Sequence, residues 1–120
     1  MRIALRALAL LAVLAVPLAA MAHAFLDHAE PAVGSKVHGA PPGVKLWFTQ
    51  ELEAAFSTVR VVDQEGKRVD RGDPRVDQRD RTILEVSLPA LAPGRYRVTW
   101  RVVSVDTHVT EGDFTFDVAP

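Results

Sequence analysis

Apolar and polar residues alternate with a period of two along most of the chain beyond residue 22. In an extended strand successive side chains point to opposite faces, so this period marks segments with one buried face. It is clearest in VKLWFTQ (Val44–Gln50), STVRVVD (Ser57–Asp63), TILEVSL (Thr82–Leu88), RYRVTWRVVS (Arg95–Ser104) and DFTFDV (Asp113–Val118). A short first strand is predicted near AFLDH, Ala24–His28. Between these runs stand EPAVGS, GAPPG, DQEG, RGDP and LAPG, which combine residues that turn a chain for steric reasons. No comparable window carries a helical stripe. The pattern predicts an all-β domain of about seven strands, a sandwich or Greek-key barrel. Trp47 and Trp100 lie within strands and are expected in the core.

Residues 1–22 break the pattern. Arg2 and Arg6 precede a nearly unbroken run of Ala, Leu and Val from Leu8 to Leu18, followed by small residues. A basic start, an apolar stretch and an A-x-A site are the features of a secretory signal, and the apolar run is short for a membrane span. The other reading is an uncleaved anchor. A cut after Ala20-Met21-Ala22 leaves residues 23–120 as a single domain starting at His23, whereas a second A-x-A match, Ala22-His23-Ala24, would start the chain at Phe25. The first cut removes both methionines of the chain and two of its 14 basic residues, leaving the 15 acidic ones in slight excess. That balance gives no reason to expect nucleic-acid binding. With no cysteine, the fold rests on its apolar core without disulfides.

The stretch SVDTHVTEGDFTF (Ser104–Phe116) places Asp106 and His108 two residues apart in what reads as a strand, so both would face the same side. Two such ligands rarely hold a transition metal tightly, but an N-terminal His23 adds two nitrogens, its α-amine and its ring Nδ1. Together with a ring nitrogen of His108 and an oxygen of Asp106 they make the tetragonal N,O set that Cu(II) prefers. Cu(I) favours thiolate and thioether ligands, and neither remains after the cut. His28, on the opposite strand face from His23, and His38, in a Gly/Pro-flanked loop, are read as surface residues. Thr107 and Glu111 are expected to orient the loop around the site. The polar stretch Arg68–Arg81 reads as an exposed loop or edge ribbon, and its Arg-Gly-Asp triplet as a chance match in a segment rich in both charges.

Three blocks, HAFLDHAEPAVGS, VKLWFTQELEAAFSTVRVVDQEGK and LPALAPGRYRVTWRVVSVDTHVTEGDFTFDV, together resemble the CopC family of periplasmic copper-binding proteins. The resemblance implies an Ig-like or cupredoxin-like Greek-key β-sandwich. It also implies Cu(II) held by His23, Asp106 and His108, with no catalytic residue, in a protein that sequesters copper or delivers it to an inner-membrane transporter of the CopD type. Some members carry a Met-rich Cu(I) site, which this chain lacks. Two positions depart from the family pattern: a family glutamate falls on Gln50, with Glu51 expected on the other face of the strand, and a further family histidine is Phe25, expected to pack in the core. The alternatives are a copper oxidase of the lytic polysaccharide monooxygenase type and an Ig-like interaction module without metal.

Overall fold

The computed structural model describes residues 23–120, and the segment read as a signal lies outside them. Eight strands follow one another: β1 (Leu26–Glu30), β2 (Lys36–Val37), β3 (Gly43–Phe48), β4 (Thr58–Val62), β5 (Arg75–Val76), β6 (Ile83–Ser87), β7 (Gly94–Val103) and β8 (Val109–Val118). They form two four-stranded sheets with orders β1-β3-β6-β5 and β2-β8-β7-β4. Pairing is antiparallel except for β2, which runs parallel to β8. The chain is therefore the all-β sandwich that the alternation predicts.

Strand parity builds the core. Val44, Leu46 and Phe48 of β3 and Leu84 and Val86 of β6 face Val59 and Val61 of β4, Tyr96, Val98, Trp100 and Val102 of β7, and Phe114, Phe116 and Val118 of β8. The intervening positions face solvent, where Arg95–Asp117, Arg97–Asp113 and Arg101–Glu111 pair across β7 and β8. Such exposed pairs contribute little each. The Tyr96 hydroxyl donates to the Ala92 carbonyl at 2.6 Å, tying down the turn before β7 and giving the buried ring a partner for its polar end.

Two expectations about aromatic residues need correction. Trp47 shares its face with Lys45, not with Leu46 and Phe48, so it lies half-buried on the outside of its sheet, stacked on His28 at 4.3 Å with Lys45 Nζ 5.3 Å from its ring centre. Phe25 precedes β1 and is 53% exposed, its ring stacked on His23 and not in the core. The Arg-Gly-Asp triplet is structural: Asp73 accepts from the Ser87 amide at 2.8 Å and from Arg75 at 3.1 Å, fastening the loop to β6.

Candidate metal centre

β7 and β8 form one long hairpin, and its closing loop carries the D-x-H pair. The pair therefore sits in a turn, not in the strand that the sequence suggests. Ser104 and His108 close the loop through the Ser104 amide and the His108 carbonyl, 2.9 Å apart, and the Thr107 amide bonds the Ser104 carbonyl at 2.8 Å. Thr107 takes φ 73°, a left-handed conformation costly for a β-branched residue. The turn still brings the two side chains together, with His108 Nδ1 3.1 Å from Asp106 Oδ2.

Asp106 is held from three sides. The fully buried Ser104 donates its hydroxyl to Oδ1, the His108 amide approaches the same oxygen at 3.4 Å, and the His108 ring lies at Oδ2. The Ser104 hydroxyl above all, against a smaller opposing effect of burial and aided by the His108 ring, amide and charge, holds this carboxyl below its ordinary range. It is a carboxylate at neutral pH. With Nδ1 of His108 turned to that carboxylate, Nε2 is the ring nitrogen left for another partner.

His23 comes from the other end of the described chain. Its ring stacks on that of His108 with centroids 4.6 Å apart and planes at 25°, and Phe25 stacks behind it at 6.0 Å. The backbone of residues 23–25 is fixed by two threonines. The Phe25 amide donates to Thr49 Oγ1 at 3.0 Å, the Phe25 carbonyl accepts from the Thr49 amide at 2.9 Å, and the Ala24 carbonyl accepts from Thr110 Oγ1 at 2.7 Å. Ala24 is fully buried between them.

His23, Asp106 and His108 are thus brought to one end of the sandwich, His23 touching His108 and His108 touching Asp106. The two rings face each other as a stack, and among the described residues no three His, Cys, Asp or Glu side chains form a ready metal cage. The donors are imidazole and carboxylate, hard to borderline groups suited to a divalent transition ion.

Other positions fall outside the site. Glu111 pairs with Arg101 on the outer face of its sheet, and His28 bonds Asp27 at 2.7 Å beside Trp47. Gln50 is half-buried just after β3, and the exposed Glu51 offers its backbone carbonyl to the Val105 amide at 3.1 Å, so this connection lies along the loop carrying Asp106. Thr49 and Thr110 carry no signal in the sequence, since a hydroxyl that bonds backbone leaves no period or spacing to read, and Ser104, whose hydroxyl bonds Asp106, reads only as one more position of the strand.

The family profile described as CopC domain matches residues 26–119. The chain is 36% identical over 113 residues to protein YobA of Escherichia coli K12, covering 93% of this chain and 91% of that one. Among solved structures it is similar to CopC from Methylosinus trichosporium OB3b, with a TM-score of 0.73 and 36% identity over 82% of this chain and 95% of that one. It is also similar to PcoC, a methionine-rich copper resistance protein from Escherichia coli, with a TM-score of 0.69 and 30% identity over 81% and 99%. With the profile spanning nearly all the described residues and the sandwich matching in three dimensions, the chain belongs to the CopC family.

Proposed function

We propose that this protein binds one Cu(II) ion at the His23–Asp106–His108 end, after removal of residues 1–22, and holds or carries it in the periplasm. The observation that carries the reading is the contact between the His23 and His108 rings, which brings an N-terminal histidine and the D-x-H loop together. His23 supplies its α-amine and ring Nδ1, His108 its Nε2, and Asp106 a carboxylate oxygen. The carboxylate offsets part of the ion's charge, and its bond to Nδ1 fixes the His108 tautomer. The amine binds only once deprotonated, from an unperturbed pKa of about 7.7–8.0, so affinity falls as the solution becomes acid.

Membership of the CopC family and likeness to a copper resistance protein support copper as the cargo. Unlike that methionine-rich relative, this chain has its two methionines at Met1 and Met21, so residues 23–120 offer no thioether or thiolate, which favours Cu(II) over Cu(I). The leader read at residues 1–22 supports export. A membrane transporter of the CopD type is the proposed recipient, on the family resemblance, and among the described residues no helix is long and apolar enough to cross a membrane.

Binding without catalysis fits better than an oxidase acting on polysaccharide. Tyr96 and Trp100 are buried and Trp47 is stacked on His28, which leaves the phenyl of Phe25 as the exposed ring beside His23, a small surface on which to seat a polysaccharide. Titration of the processed protein with Cu(II), followed by electron paramagnetic resonance, tests the reading. One equivalent should bind with nitrogen-rich tetragonal spectra, and a stoichiometry of zero refutes it.

A further inference from the structure

We propose that Thr49 and Thr110 are the positioning residues of the site, a clamp that holds the N-terminal arm in its binding position before the ion arrives. The inference rests on reading His23 as a ligand.

The arm, residues 23–25, precedes β1, and only one backbone bond, from the Thr49 amide to the Phe25 carbonyl, extends the β1–β3 pairing into it. A three-residue terminus outside a sheet ordinarily frays. Here it is fastened to both sheets at once. Thr49 directly follows β3 in one sheet, and it uses both its amide and its hydroxyl on Phe25, at 2.9 and 3.0 Å, with a longer hydroxyl contact to the His23 carbonyl at 3.4 Å. Thr110 belongs to β8 in the other sheet and bonds the Ala24 carbonyl at 2.7 Å. A hydroxyl can accept and donate together, as Thr49 Oγ1 does here.

The consequence concerns affinity more than folding. His23 reaches His108 only because the arm spans the open end between the sheets, with Ala24 buried in the gap. If the arm were loose, its ordering would be charged against copper binding. Groups that orient a ligand without touching the metal typically change metal affinity by about 10–100-fold when removed. The clamp also bears on the processing site. A chain cut before Phe25 would lose Ala24, and with it the partner of Thr110.

The test uses the processed protein in three forms: wild type, T49V/T110V and T49S/T110S. Valine keeps the shape and removes the hydroxyl, whereas serine keeps the hydroxyl. The valine pair should bind Cu(II) about 10–100-fold more weakly with fewer coupled nitrogens in its resonance spectrum, and the serine pair should stay within a few-fold of wild type with an unchanged spectrum. In copper-free wild type, the Phe25 amide should exchange with solvent as slowly as amides of the β1–β3 ladder. Wild-type affinity and spectrum in a folded valine pair overturn the proposal, and so does free exchange at Phe25, which decides the matter if the valine pair does not fold. Failure of wild type itself to bind Cu(II) is a different outcome and refutes the function reading instead.

Discussion

The imidazole rings of His23 and His108 stack at 4.6 Å, one carried on the N-terminal arm and the other on the β7–β8 loop. The contact joins two features that look independent in the sequence. His38, by contrast, is exposed in the loop between β2 and β3. His108→Ala should therefore weaken Cu(II) binding by more than about a hundredfold, beyond the loss typical of a group that only orients a ligand. His38→Ala should leave it unchanged. Competition against a chelator of known affinity measures both, and equal losses would place the site elsewhere.

Oxidation state provides a second prediction. All donors of the proposed site are nitrogen or oxygen, and both methionines precede His23. Cu(I) binding should be far weaker than in PcoC, the methionine-rich relative. Competition with a Cu(I) chelator under anaerobic conditions is the measurement, and comparable affinities in the two proteins would contradict the donor set.

Gly112 stands opposite Trp100 across the β7–β8 hairpin, and the indole lies over it. A Cβ at this position would come within 2.3 Å of Trp100 Cζ2. Because the indole is itself packed edge-on against Phe48, it has little room to retreat. Gly112→Ala should cost about 1–3 kcal/mol by overpacking, read by denaturant unfolding. Unchanged stability would mean that the indole can move aside.

Much of the sandwich is legible because alternation needs only a sequence and a parity. The β2 and β5 strands are not, since two residues cannot show a period. Parity also places Trp47 outside once Leu46 and Phe48 are known to face in, and the assumption that tryptophan in a strand is core hides this. The Asp106–His108 proximity is anticipated by an argument from strand geometry, but the structure reaches it through a turn at Thr107, whose positive φ no residue-type preference announces. The approach of His23 to His108 follows from chemical reasoning about the terminus and from the family resemblance. The threonines that hold the arm are silent in the sequence because their bonds go to backbone.

Asp70 links stability to pH. Its side chain is inaccessible to solvent and accepts from the Val61 and Gly72 amides at 2.8 and 2.7 Å and from Arg68 at 3.0 Å. Burial alone would raise its pKa, but the Arg68 bond, the two amides and the Arg68 charge outweigh it, and the carboxyl titrates below its ordinary 3.8. A depressed folded pKa adds stability that is fully present above the unfolded value and is lost as pH falls through the folded one. Asp70→Asn should cost about 1–3 kcal/mol at neutral pH and reduce the fall in stability below pH 3.8. Parallel pH–stability curves for the two proteins would contradict the assignment.

The central claim is that the α-amine of His23 is itself a copper ligand. It is tested most directly by one added glycine before His23 in the processed protein, a change that keeps every side chain and converts the amine to an amide. Cu(II) affinity and the paramagnetic resonance spectrum are compared with those of the chain starting at His23, whose terminus is verified by intact mass. Weaker binding and a changed spectrum are expected in the extended chain, because the glycine amine and the His23 amide can form only a different chelate from that of a free His23 amine. An extended chain with unchanged affinity and spectrum, or a secreted protein that begins at Phe25, would contradict it.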